Sequence, residues 1–223
     1  MAGMVNIQSL FTGRVVAECC RIEHRDCELY PEERVSLHHA VARRRHEFGS
    51  GRVCARNAMA RLGIKDSPLP RSPEGLPVWP AGIVGVISHS TTWCGAAVGR
   101  QEDIRGIGLD IETIDRVSMR IAKKVLTPAE YAWITTCSQE AQMRLALLFS
   151  AKETLFKCVS PVYGKRFGFY DMAITQVTQE EQSFEVKLDH TLSASLPHCI
   201  TLTGRYCIHE GDVFTGMVLS RED

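Results

Sequence analysis

The stretch Gly106-Ile107-Gly108-Leu109-Asp110-Ile111-Glu112 constrains this chain more than any other. It reads as a buried β-strand that ends in two carboxylates. Side chains alternate across a strand, so Asp110 and Glu112 share one face while Leu109 and Ile111 point into the other layer. Two neighbouring carboxylates in apolar surroundings repel each other and lose hydration. A bound cation relieves both, and hard oxygen ligands suit Mg²⁺. The plainer reading is a strand that ends in solvent with two surface acids.

The chain has 223 residues, 44% of them hydrophobic and 23% charged, enough for one large globular domain or two small ones. Lys plus Arg balances Asp plus Glu, so net charge does not point to a nucleic-acid partner. Arg43, Arg44, Arg45, Arg52, Arg56 and Arg61 crowd one stretch, either as a solvated helix face or as a phosphate-binding patch. Only Phe48 is interleaved with them, so base stacking is not expected. Nine cysteines without CxxC pairs read as reduced thiols of a cytoplasmic protein. The N-terminus lacks a signal-peptide pattern and no apolar run reaches membrane-spanning length.

Along the chain, a short strand is expected over 14–17. Pro31 with Glu32 and Glu33 opens a helix over 31–48, and a second helix is expected over 51–62, because Gly49 and Gly51 are poor inside one continuous helix. A proline-rich loop over 66–82 leads into three strands, 83–88, 94–98 and 104–111, whose short turns suggest an antiparallel meander. Thr127-Pro128-Ala129-Glu130 is a capping box. Apolar residues Leu145, Leu148, Phe149, Phe156 and Val159 recur at helical spacing, giving a long helix over 139–159. Four β-like runs follow, at 171–177, 183–188, 199–207 and 213–219. A helix followed by strands thus occurs twice. The expected fold is α+β with two similar lobes, residues 1–103 and 104–223.

On the long helix, Glu153 and Lys157 share a face four residues apart. They read either as a surface ion pair or, beside Asp110 and Glu112, as a third carboxylate for a metal and a cation for a phosphate. His89, in Ile87-Ser88-His89-Ser90 at a strand end, is either structural or, with Ser88, part of an anion site. No G-x-S-x-G elbow accompanies it.

Taken together, these stretches resemble the 4′-phosphopantetheinyl transferase superfamily, in particular its double-length surfactin-activator and enterobactin synthase component D types. Gly108-Leu109-Asp110-Ile111-Glu112 is similar to the family's G-[IV]-D-x-E. Phe149-Ser150-Ala151-Lys152-Glu153-Thr154-Leu155-Phe156-Lys157 is similar to its W/F-x-x-K-E-x-x-x-K helix, with Phe149 where many members carry Trp. Trp79-Pro80-Ala81-Gly82 with Ile87-Ser88-His89-Ser90, and Arg44-Arg45-His46-Glu47-Phe48 through Arg52-Val53-Cys54-Ala55-Arg56, complete the ordered set.

The resemblance implies two pseudo-symmetric α+β lobes with the active site in the cleft between them, in a monomer. It implies transfer of the 4′-phosphopantetheine arm of coenzyme A to a serine of an apo acyl or peptidyl carrier protein, with release of adenosine 3′,5′-bisphosphate. Asp110, Glu112 and Glu153 would hold Mg²⁺, Glu153 would serve as base, and Lys157 would neutralise phosphoryl charge. Arg44, Arg52, Arg71, Ser88 and His89 would bind coenzyme A, Arg71 being the sole cation over 71–79. A non-catalytic coenzyme A or carrier-protein binder of the same fold is the alternative.

Overall fold

Strands β1 (Val16–Arg21), β2 (Ile83–His89) and β3 (Trp93–Arg100) form an antiparallel sheet in the order β1-β3-β2. The computed structural model describes residues 5–65, 67–164, 167–188 and 201–221. The β2–β3 hairpin follows the sequence pattern, but the expected meander stops there. With β1 on one side and β2 on the other, β3 offers no free edge. The next strand, β4 (Ile104–Thr113), therefore enters a second antiparallel sheet. Its order is β4-β8-β7-β6-β5, with β5 (Met172–Thr178), β6 (Ser183–Leu188), β7 (Thr201–His209) and β8 (Asp212–Ser220). Residues 199–200 of the run expected over 199–207 lie outside the described residues. The fold is α+β.

The helices are α1 (Pro31–Arg34), α2 (Ala42–Arg61), α3 (Ala122–Val125), α4 (Pro128–Thr135) and α5 (Ala141–Tyr163). The expected helix break at Gly49 and Gly51 is incorrect. The chain breaks over 38–41 instead, and α2 runs unbroken through both glycines. The role of Gly51 is close approach. A Cβ at Gly51 would stand 2.9 Å from Ile87 Cγ2 and 3.3 Å from Cys94 Sγ, so the missing side chain lets α2 settle on β2 and β3. The capping box of α4 is present: Thr127 Oγ1 accepts from the Glu130 N–H, and Glu130 Oε2 accepts from the Thr127 N–H at 2.6 Å. Helix α5 extends past Val159 and carries Pro161 in its last turn. Gly164 at φ +62° then closes it, donating to the Ser160 carbonyl.

The two sheets pack face to face. Ala17, Val86, Trp93 and Ala97 of the first meet Ile107, Leu109, Ile111 and Phe214 of the second. Helix α2 covers the outer face of the small sheet through Cys54, Ala55, Ala58 and Met59, which pack on Ala96 and Val98. Helix α5 covers the outer face of the large sheet, with Leu148, Ala151 and Leu155 among Phe184, Val186 and Met217. Both faces of β3 and β4 are therefore buried, and any polar side chain there needs a partner. Cys19, Cys20, Cys54, Cys94, Cys137 and Cys207 form no disulfide. Among the described residues, no helix is long and apolar enough to cross a membrane.

Candidate active site

The alternation of β4 sorts its residues as the sequence requires. Ile107, Leu109 and Ile111 enter the core between the sheets, and Gly106, Gly108 and Asp110 face α5. A Cβ on Gly106 would lie 2.1 Å from the Cys158 carbonyl oxygen, and one on Gly108 2.0 Å from that of Thr154. The two glycines let the strand backbone touch the helix backbone. That contact brings Asp110 against Ser150 and Lys157, two turns apart on α5.

Asp110 is 3% exposed. Its Oδ1 accepts from Lys157 Nζ at 2.6 Å and from Ser88 Oγ at 3.2 Å, and its Oδ2 accepts from Ser150 Oγ at 2.8 Å. Lys157 Nζ also donates to Ser88 Oγ at 3.1 Å and to the Leu109 carbonyl at 3.3 Å, which commits all three of its N–H groups. The pair is a partly buried ion pair with its hydrogen bonds filled, not a surface i,i+4 pair between Glu153 and Lys157.

Glu112 and Glu153 are half-buried and make no hydrogen bond or ion pair to another described residue. Burial, and then the charge of Asp110, pushes the Glu112 carboxyl up to about 7. The same two causes raise Glu153. Lys157 opposes both shifts without cancelling them. Among the described residues, no three His, Cys, Asp or Glu side chains close around a point as a metal cage does. The donor set nevertheless suits Mg²⁺. That ion takes one or two carboxylates and fills its octahedron with water and phosphate oxygens. Here two desolvated, mutually repelling carboxylates without partners among the described residues stand beside a third, and a divalent cation removes the repulsion.

Ser88 and His89 are neighbours on β2 and point to opposite faces. Ser88 reaches Asp110 and Lys157. His89 turns toward α2, where Arg44 donates to its Nε2 at 3.3 Å. An arginine only donates, so Nε2 accepts and the ring proton sits on Nδ1, 3.2 Å from the Ser90 carbonyl. Glu47, buried beside them, lies 3.6 Å from Arg44 and 3.7 Å from His89. Arg44 and Arg71 line one cavity of about 290 Å³ together with His38, His39 and Phe48. Arg52 does not line it. It is 5% exposed, donates to the Leu69 carbonyl at 2.7 Å and lies 4.0 Å over the Phe48 ring. Burial lowers it to about 10. Three more of the arginine cluster are spent on acids: Arg43 on Glu47, Arg56 on Glu33 and Arg61 on Glu18.

Sequence reasoning passed over several polar residues. Lys152, beside Glu153, is 0% exposed and contacts Glu130 Oε2 at 2.7 Å and the carbonyls of Val125, Phe169 and Met172. It ties α5 to the capping box of α4. Glu130 Oε1 also accepts from the Ile174 N–H at 2.7 Å, which anchors β5. The available signal was a lysine one turn from Leu148 and Leu155, on the apolar side of the helix. Ser150 and Thr215 carried no signal, because they meet across 65 residues.

Comparisons with known proteins agree with this architecture. Residues 32–99 match the family described as 4′-phosphopantetheinyl transferase N-terminal domain, and residues 106–209 match the 4′-phosphopantetheinyl transferase superfamily. The chain is 34% identical to the 4′-phosphopantetheinyl transferase PptT of Mycobacterium tuberculosis over 85% of each chain. It is 36% identical to the 4′-phosphopantetheinyl transferase Svp of Streptomyces mobaraensis, over 72% of this chain and 65% of that one. It is 38% identical to enterobactin synthase component D of Escherichia coli K12, over 54% of this chain and 57% of that one. With the relationship to PptT extending over most of both chains, and both family matches lying in order along the sequence, this chain belongs to the 4′-phosphopantetheinyl transferase family.

Proposed function

We propose that the protein transfers the 4′-phosphopantetheine arm of coenzyme A to a serine of an apo acyl or peptidyl carrier protein in a Mg²⁺-dependent reaction. The observation that carries this reading is the meeting of Asp110, Ser88 and Lys157 beside the raised carboxyls of Glu112 and Glu153. A phosphoryl-transfer site needs this concentration of anionic ligands and one cation. Asp110, Glu112 and Glu153 would hold the ion, which when bound neutralises charge on the pyrophosphate oxygens. In the reaction, the carrier serine oxygen forms a bond to the β-phosphorus. The bond from that phosphorus to the bridging oxygen breaks, and adenosine 3′,5′-bisphosphate leaves. The serine proton passes to Glu153, whose raised carboxyl suits a base, directly or through a water.

Lys157 holds Asp110 in place and adds positive charge beside the phosphoryl oxygens. The longest of its three contacts, to the Leu109 carbonyl, is the one that yields to them. Arg44 and Arg71 receive the nucleotide phosphates in their shared cavity, and Ser88-His89 joins that cavity to the carboxylates. Arg52 acts from beneath, holding Phe48 and the loop at Leu69. The two lobes, 1–103 and 104–223, supply both walls from one chain, so the protein works as a monomer.

The test is the intact mass of an apo carrier protein after incubation with this protein, coenzyme A and Mg²⁺. A gain of about 340 Da, the mass of the transferred phosphoryl-linked arm, supports the reading. No gain on several carriers, with coenzyme A binding intact, overturns it in favour of a non-catalytic binder.

A further inference from the structure

Asp110 is backed by three hydroxyl groups. Ser150 Oγ donates to Asp110 Oδ2, Thr215 Oγ1 stands 2.8 Å from Ser150 Oγ, and Thr154 Oγ1 stands 2.6 Å from Thr215 Oγ1. All three residues are 0% exposed, so water does not compete for these bonds. Their positions follow from the register. Thr215 of β8 is the cross-strand partner of Asp110, and Ser150 and Thr154 are one turn apart on α5 above both.

The row has a direction. An ionised carboxylate only accepts, so the Ser150 proton points at Asp110. The Ser150 oxygen is then free to accept from Thr215, and the Thr215 oxygen to accept from Thr154. Each threonine has a second acceptor nearby: the Ser150 carbonyl for Thr215 at 3.1 Å and the Thr215 carbonyl for Thr154 at 3.3 Å. These fork the bonds without reversing the row. At the far end, Asp110 Oδ1 has both accepting positions filled by Lys157 and Ser88. Oδ2 has one filled by Ser150 and, among the described residues, one open.

We infer that the row Thr154–Thr215–Ser150 is a positioning device. It fixes the plane of the Asp110 carboxylate and leaves one Oδ2 lone pair for a hard divalent cation. Ser150 and Thr215 are positioning residues that touch neither the cation nor the substrate. The inference rests on the metal reading of Asp110 given under the proposed function, and adds that cation affinity is set by a hydroxyl row three residues deep behind the ligand.

The experiment is titration of the full chain with Mn²⁺ as the probe, following free Mn²⁺ by electron paramagnetic resonance, with folding checked by thermal unfolding in chelator. Ser150→Ala weakens Mn²⁺ binding about 10- to 100-fold, the usual scale for losing a residue that orients a ligand. Thr215→Val, which keeps the shape and removes the hydroxyl, weakens it less. Thr215→Ser, which keeps the hydroxyl and loses a methyl, binds close to wild type even where it melts earlier. The Ser150→Ala/Thr215→Val double variant binds no more weakly than Ser150→Ala, because Thr215 acts through Ser150. Wild-type affinity in Ser150→Ala, or equal loss in Thr215→Ser and Thr215→Val, overturns the inference while the metal reading stands. If Ser150→Ala does not fold, the Thr215 pair decides alone. Wild-type protein that fails to bind Mn²⁺ brings down the metal reading and this inference with it.

Discussion

Two helices in this molecule come unusually close to a sheet, and glycine makes room for both in opposite ways. In the α2 contact the glycine is on the helix: Gly51 clears Ile87 and Cys94. In the α5 contact the glycines are on the strand: Gly106 and Gly108 clear the carbonyls of Cys158 and Thr154. A helix that gives up its own side chains can lie close but presents nothing at the contact. A strand that gives up its side chains leaves the helix fully equipped. Helix α5 therefore brings Ser150, Glu153 and Lys157 to Asp110. Helix α2 keeps Arg44 and Glu47 for its N-terminal half, where they meet His89 at the strand end.

The largest effect is expected at Gly108. An added methyl meets the Thr154 backbone, which cannot rotate away, so Gly108→Ala costs more than about 3 kcal/mol. It removes cation binding with it; denaturant unfolding measures the first and Mn²⁺ titration the second. Next comes Lys152, the structural lysine of the same helix. Lys152→Met strands Glu130 without its cation and costs about 3–5 kcal/mol, as broken buried pairs do. A loss within experimental error would mean that α4 and β5 hold α5 without it.

A pH effect follows at Glu112, on the chemical side of the contact. Its carboxyl is pushed up to about 7 by burial and by Asp110. The folded protein thus keeps a proton that the unfolded chain releases at ordinary carboxylate pH. Stability falls as pH rises from about 4.5 toward about 7 and stays lower above it. Glu112→Gln has no proton to lose and flattens this slope in denaturation midpoints at about pH 5 and about pH 8. Mg²⁺ restores stability at the higher pH in wild type and not in the variant. Gly51→Ala gives the smallest effect. About 1 kcal/mol of helix propensity offsets the crowding at Ile87, leaving a net loss of at most about 2 kcal/mol. A Gly51→Ala variant as damaged as Gly108→Ala would erase the distinction between the two contacts.

What the sequence made legible is local. Alternation around Asp110, the Thr127 capping box, the periodicity of α5 and most strands are written within a few residues of each other. What it hid is set at a distance. That β4 leaves β3 depends on β1 already occupying the far edge of β3. That Gly51 sits inside a helix depends on Ile87 and Cys94. The acids and Lys157 were readable as a constellation, because strand and helix periods place them. Ser150 and Thr215 were not, because a hydroxyl has no sequence signature until the register of β4 against β8 is fixed. Arg52, read from its motif as a phosphate ligand, lies buried against the Phe48 ring and the Leu69 carbonyl, a consequence of how the loop at Leu69 folds over α2.

In the proposed function, contact between β4 and α5 assembles carboxylates that bind coenzyme A through a divalent cation. Calorimetric titration of coenzyme A into the protein, in Mg²⁺ and again in chelator, tests it most directly. Binding at least about tenfold tighter with Mg²⁺ is expected, since the pyrophosphate completes the ion's oxygen shell. Equal affinity in chelator would contradict it.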